Sequence, residues 1–192
     1  MQLPILLYGH QLLRGKAKPV AVTQPGIKKI ISDMWQTMYG AGGCGLAAPQ
    51  VNLPLRIFIV DSQGTFKQMP PEDKQQYFSG DSGIQETFIN ARITARSAET
   101  WLDQEGCLSI PGVWGLVERP WQVTVEYLNA DLQTQVKIFS GLTARMIQHE
   151  FDHTEGILYL DYLPPLKRIA LKKKLNNITL GKIKPGYPVL IA

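Results

Sequence analysis

Apolar positions recur along this chain with two different periods. Ile27, Ile30, Ile31, Met34, Trp35 and Met38 stand three or four apart, the spacing of one face of an α-helix. Pro25 suits a first helical turn, where its missing N–H costs nothing, and Gly40, Gly42 and Gly43 end the run. This predicts a core-facing helix in which Trp35 and the methionines pack. Leu142, Met146, Ile147 and Phe151 form a second helical stripe, with Ser140 as its N-cap and Gly156 at its end. A third helix, amphipathic and basic, is predicted at about 165–177, behind Pro164. Between the first two helices the pattern changes to strands. Arg56–Val60 is a short β-branched run that reads as a buried strand. Gln85–Asn90, Ala91–Ser97, Val113–Val117, Gln122–Asn129 and Gln135–Phe139 read as further extended segments. Residues 1–23 read as an ordered arm and Tyr187–Ile191 as a terminal strand-like segment. Gly43–Gln50 reads as a loop of small residues. The polar stretch 61–84, with Pro70, Pro71, Gly80 and Gly83, reads as a long loop with one helical turn near Glu72–Tyr77.

These elements give one α+β domain over residues 1–192, with short strands ahead of the second helix and no internal repeat. Hydrophobic content of 44% and charged content of 19% place the chain among ordinary globular proteins. A net charge of +4 is too mild to point to DNA. Two cysteines make no disulfide framework and read as reduced thiols. Pro4 interrupts the apolar N-terminus, so it reads as mature sequence, and no apolar run approaches the roughly 20 residues of a membrane span. The expected location is the cytoplasm or an organelle interior. Lys167, Arg168, Lys172, Lys173 and Lys174 cluster on the third helix. Such a run reads first as a solvated face, and second as a contact for an acidic partner such as RNA.

The chemistry centres on His149-Glu150-Phe151-Asp152-His153, an HExxH stretch on the second predicted helix. Two histidines four residues apart share one face and can grip one metal ion, and Glu150 can handle the proton of an activated water. Two histidines alone make a poor metal site. One protease pattern adds a third histidine downstream, but Tyr159 stands at that place; another adds a glutamate further on, and past Glu155 there is none. The soft upstream candidates are Cys44 and Cys107. Cys107, in a Gly-Cys-Leu turn between extended segments, is well placed to project a thiolate, although a lone cysteine equally reads as a small buried hydrophobe.

Three motifs stand together in this chain: Gly43-Cys44-Gly45-Leu46-Ala47-Ala48-Pro49-Gln50, Glu105-Gly106-Cys107-Leu108-Ser109 and Gln148-His149-Glu150-Phe151-Asp152-His153. In content and order they resemble the peptide deformylase family, and the similarity extends from about Ile5 to Leu163. The resemblance implies small antiparallel and mixed sheets around a central metal-bearing helix. It implies Cys107, His149 and His153 as ligands of one divalent metal, with water in the open fourth position and Glu150 as general acid–base. It implies the Gln50 amide and the Leu108 N–H as oxyanion donors. Gly45 and Met146 are implied at the substrate, with Glu105 either binding substrate or holding Arg119, Arg145 or the loop. The implied substrate is the N-formyl-methionine of a nascent peptide, with formate released. The implied metal is Fe(II) in the cell, with Zn, Ni or Co in isolated protein. The basic helix at about 165–177 is then expected to contact the ribosome. The variable loop at about 62–84 and Thr154, where the family usually has leucine, depart from the pattern. Two rival readings are an HExxH endopeptidase and a non-catalytic, metal-stabilised ribosome-docking domain.

Overall fold

The computed structural model describes residues 1–192 except Val22, Ser79 and Ala192. In chain order its elements are β1 (Ile5–Leu6), α1 (Ile27–Gly40), β2 (Gly45–Ala47), β3 (Ile57–Asp61), α2 (Ser62–Gln68), α3 (Pro71–Tyr77), β4 (Gln85–Arg96), β5 (Thr100–Cys107), β6 (Ile110–Pro120), β7 (Gln122–Leu128), β8 (Thr134–Ser140), α4 (Gly141–Glu155), α5 (Pro165–Thr179) and β9 (Val189–Leu190). An antiparallel sheet runs in the order β2-β3-β4-β7-β8, β5 and β6 form a separate hairpin, and β1 pairs with β9 in parallel. The expected α+β class, with small sheets around a central helix, is the one observed.

β3 explains why the core has two sides. Its side chains alternate between faces: Ile57 and Ile59 join Ile27, Ile31, Met34 and Met38 of α1, while Phe58 and Val60 join Ala144 and Ile147 of α4. A strand buried on both faces shows a continuous apolar run, as this one does. A third cluster packs Val113 and Val117 of β6 against Leu158, Tyr159 and Leu163, and against Leu171, Leu175 and Ile178 of α5. Helix α4 is thus enclosed by the sheet on one side and reaches the hairpin on the other.

Several sequence expectations need correction. The stretch 62–84 is not a long loop but carries two helices. The Asp61 side chain caps α2 by accepting from Gly64 N–H at 2.7 Å, and α3 starts on Pro71 with Glu72 and Asp73 in its first turn, where acidic groups complement the helix dipole. Phe78 is buried and meets Phe66 edge-on at 5.0 Å, which anchors the insertion. Gly43–Gln50 is not all loop: β2 pairs with β3, and Ala48–Val51 forms a 3₁₀ turn. Pro25 stands before α1, whose N-cap is Gly26 in a left-handed conformation. Ser140 precedes α4 but makes no side-chain cap, because it still runs in β8, opposite Gln122. The two extended segments at 85–97 are one strand, kinked at Asn90 (φ 54°). There the Asn90 amide accepts from Val20 N–H at 2.7 Å and donates to Val20 C=O at 2.8 Å, tying down the N-terminal arm. Strand β5 was not foreseen; its polar sequence hides the alternation that its pairing with β6 reveals. Helix α5 is amphipathic only in its second half, since Leu166 is 81% and Ile169 67% exposed.

Gly156 ends α4 with φ 75°, and a Cβ there would lie 2.6 Å from the Arg14 carbonyl oxygen. Left-handed backbone costs a non-glycine residue about 1–2 kcal/mol before any clash. Gly156→Ala is expected to lower unfolding free energy by about 2 kcal/mol, read as a lower urea midpoint at unchanged slope.

Candidate active site

Helix α4 carries both histidines of the HExxH stretch on one face, and β5 brings Cys107 to them. The Cys107 Sγ, His149 and His153 ligand atoms lie within 4.8 Å of one another, with Cys107 Sγ 3.2 Å from His153 Nε2. A tetrahedral ion with typical metal–sulfur and metal–nitrogen distances holds two such atoms about 3.5 Å apart. The donor set therefore fits one divalent ion by spacing and by chemistry. Cys44, the other soft candidate, lies outside this group.

The ring orientations support the same fit. His149 Nδ1 meets Glu105 Oε2 at 2.9 Å, which turns Nε2 toward the cleft. Tyr159, standing where one protease pattern has its third histidine, stacks on the His149 ring (centroids 6.0 Å, 25° between planes) and donates to Val113 C=O at 2.9 Å. It is packing, not a ligand. His10, the remaining histidine, caps the Gln11–Arg14 turn by accepting from Leu12 N–H. Burial opposes a charge on His149, but its bonds to Cys107 and Glu105 outweigh that and raise its pKa; burial lowers that of His153.

Glu105 is the hub. Oε1 accepts from Arg119 Nε at 2.6 Å and Arg145 Nη1 at 2.7 Å, and Oε2 from Arg119 Nη2 at 2.9 Å and meets His149 as above. Burial alone would raise its pKa, but His149 and Arg119 hold it well below the usual carboxylate range. Both side-chain oxygens are thus engaged by Arg119, Arg145 and His149. Arg119 continues to Asp152 Oδ2 at 2.8 Å, which also accepts from Tyr162 Oη at 3.0 Å.

Glu150 lies beside this hub, 6% exposed, with Oε2 buried and without a protein partner. Burial, reinforced by the Glu105 charge and opposed by His149, pushes its pKa up to about 7. A Cβ on Gly45 would stand 2.5 Å from Glu150 Oε1, so glycine is what lets β2 run against this carboxylate. The Gln50 amide is oriented without ambiguity: Oε1 accepts from Ala47 N–H at 2.8 Å, which sends Nε2 toward Ser109 Oγ (3.2 Å) and Cys107 Sγ (3.4 Å). Met146 and Leu108 line the same cleft of about 910 Å³, and the Leu108 carbonyl accepts from Tyr187 Oη at 2.7 Å. Thr154 is buried away from the centre, bonded to Phe151 C=O, so its departure from leucine touches helix packing only.

The cleft also holds residues not singled out from sequence. Gly64, Thr65 and Gln68 of α2 line it, as does Trp114 of β6. The signals were there: Asp61 is a good N-cap for a helix that starts at Ser62 inside the supposed loop, and strict alternation from Val113 to Val117 puts Trp114 on the face opposite the core.

An HExxH helix joined by a cysteine sulfur from a separate sheet, beside a buried carboxyl group and an aimed amide, is the layout of a metal-dependent hydrolase. The family model described as polypeptide deformylase matches residues 2–169. A peptide deformylase of Flavobacterium johnsoniae is 42% identical over the whole chain and 97% of its own length. The peptide deformylase of Ehrlichia chaffeensis superposes with a TM-score of 0.80 at 31% identity, covering 95% of this chain and all of that one. The class I type b enzyme of Acinetobacter baumannii, bound to Met-Ala-Ser, gives 0.74 at 32% identity, covering 85% and 99%. The chain belongs to the peptide deformylase family. It is a hydrolase that removes the N-formyl group from the N-terminal methionine of newly made proteins. The endopeptidase and docking-domain readings are not favoured.

Glu105→Gln leaves two buried arginines undercompensated and loosens His149. It is expected to cost about 3–5 kcal/mol in stability and to weaken metal binding about 10–100-fold in chelator competition.

Proposed function

We propose that Cys107, His149 and His153 hold the metal and that Glu150, Gln50 and Leu108 carry the deformylation of N-formyl-methionyl peptides. The observation that carries this reading is the convergence of the three ligand atoms within 4.8 Å, at a cleft that also contains the buried Glu150 carboxylate. When bound, a divalent ion supplies Lewis acidity, which lowers the pKa of a water toward neutrality. Glu150 takes the proton of the attacking water and delivers it to the methionine nitrogen as the C–N bond breaks. A carboxylate with a pKa near 7 can do both at neutral pH. Gln50 Nε2 and the Leu108 N–H donate to the formyl oxygen as it gains negative charge. An amide is the right group at 50, since an ionised glutamate would repel that charge. Gly45 lets the strand backbone approach the substrate, and Met146 lines the apolar recess for the methionine side chain. Glu105 acts by fixing the His149 ring. Formate and a free methionine amine leave. The Met-Ala-Ser bound to the Acinetobacter baumannii relative has the form of such a product.

The metal we assign is Fe(II) in the cell, with Zn, Ni or Co in isolated protein; a His₂Cys donor set accommodates all four. Residues 1–192 act as one catalytic unit, because the site draws on β2, the hairpin, α4 and the tail at Tyr187. The insertion at 62–84 belongs to that unit as part of the cleft lining. Among the described residues no helix is long and apolar enough to cross a membrane, and we place the enzyme in the cytoplasm or an organelle interior, where formyl-methionine starts proteins. Exposed Lys167, Arg168, Lys172, Lys173 and Lys174 on α5 support docking to ribosomal RNA.

Formate release from formyl-Met-Ala, measured anaerobically with Fe(II) and again with Zn, tests the assignment. Glu150→Ala is expected to retain the metal by elemental analysis and to lose about a thousandfold or more in turnover. Activity surviving that change would overturn the role of Glu150. Replacing Lys172, Lys173 and Lys174 with glutamine is expected to weaken co-pelleting with ribosomes; unchanged pelleting would remove α5 as the docking element.

A further inference from the structure

The β5–β6 hairpin has two faces. Register pairs Glu105 with Gly115 and Trp101 with Arg119 on the inner face, toward α4. The pairs Gly106–Trp114, Gln104–Leu116 and Leu102–Glu118 alternate with them and point outward. Three large apolar side chains on that outer face remain exposed: Trp114 at 61%, Leu116 at 53% and Leu102 at 59%. They are contiguous. Trp114 and Leu116 are next neighbours on one side of β6, and Leu102 lies diagonally across from Leu116, within reach of a long side chain.

The stripe has a direction. Gly106 and Trp114 stand at the end of the hairpin next to Cys107, and both line the catalytic cleft, as does Gln104. The indole lies over Gly106, where a Cβ would come within 2.6 Å of its ring. The absence of a side chain at 106 therefore seats the tryptophan flat at the lip. From there the stripe runs outward past Leu116 to Leu102. The distance from the Trp114 rung to the Leu102 rung is four strand residues, about 13 Å, which an extended peptide spans with about four residues. The cleft takes the formylated end of a chain, and the remainder of that chain has to leave across one of its rims.

We propose that the outer face of the β5–β6 hairpin carries the substrate chain beyond its first two residues, and that it favours apolar side chains there. The inference rests on the deformylase reading above. The occupant is the substrate chain itself, because the stripe is continuous with the cleft through Trp114. The enzyme then discriminates among residues downstream of formyl-methionine: nascent chains with apolar third to fifth residues are held better than polar ones. Binding is what changes, so the preference appears in KM and leaves kcat alone.

The test uses the Fe(II)-loaded enzyme and three substrates: formyl-Met-Ala, formyl-Met-Ala-Leu-Phe-Leu and formyl-Met-Ala-Ser-Gln-Ser. The wild type is expected to favour the apolar pentapeptide over the polar one by about tenfold in kcat/KM, what partial cover of two leucines provides. The double variant Leu102→Ser, Leu116→Ser changes only exposed positions. It is expected to reduce that ratio to about two while turning over formyl-Met-Ala, which does not reach these residues, at the wild-type rate. A wild-type ratio near one, or a ratio unchanged in the double variant, overturns the proposal. So does a wild-type dimer in sedimentation that the double variant dissociates, since the stripe would then be covered by a second copy. Absence of turnover on all three peptides would instead overturn the deformylase reading, and this inference with it.

Discussion

The buried carboxylate of Glu105 is the contact on which the centre depends. An ion removed from water is costly unless it is fully paired, and this one is paired to Arg119, Arg145 and His149, from β6 and α4. Arg145 is itself tied to the carbonyls of Val117 and Trp101 and lies over the Trp101 ring at 4.3 Å. Arg119 reaches Asp152 and covers the Tyr162 ring at 4.9 Å. One hub thus fixes the hairpin against the helix. That matters because the proposed metal ligands are split between them: Cys107 belongs to β5, and the two histidines to α4. The charges also close. Arg119 and Arg145 offset Glu105 and Asp152.

Much of this was legible in the sequence, for identifiable reasons. The HExxH helix could be read because both signals fall on the same residues: Met146, Ile147 and Phe151 repeat at helical spacing, and the two histidines share that period. β3 could be read because burial on both faces leaves a continuous apolar run. Cys107 was reachable by elimination only as far as a choice between a ligand and a buried hydrophobe. Its place beside two other motifs turned that choice into an expectation, and the 3.2 Å approach to His153 Nε2 gives it a geometry.

The features that were not legible depend on pairing across distance. Nothing in Thr100–Cys107 announces a strand, because its outer positions are polar apart from Leu102 and its inner ones are Trp101, Asp103 and Glu105. Only the register with β6 makes the alternation visible, and with it the inward turn of Glu105. The insertion is hard to read because prolines and glycines are loop signals in general, whereas here Pro71 opens a helix and Asp61 caps another. The role of Gly45 was half legible. Close backbone approach was foreseen, but the group that needs the space is Glu150, far along the chain on α4, as well as any substrate.

The shape of the cleft says why a chain end, and not a chain interior, is the substrate. Its inner end is closed: Gln50 and Glu150, which line it, are 2% and 6% exposed. Residues of α2 and Trp114 of β6 line the cleft as well. An internal peptide bond would need an open trough so that chain could leave in both directions from the inner end. A formyl group has chain on one side only and is the smallest acyl group, so it can be lowered to the inner end while the peptide stays in the cleft. The same HExxH grip that serves proteolysis elsewhere is here confined, by what β2 and the hairpin place around it, to one amide at a chain terminus.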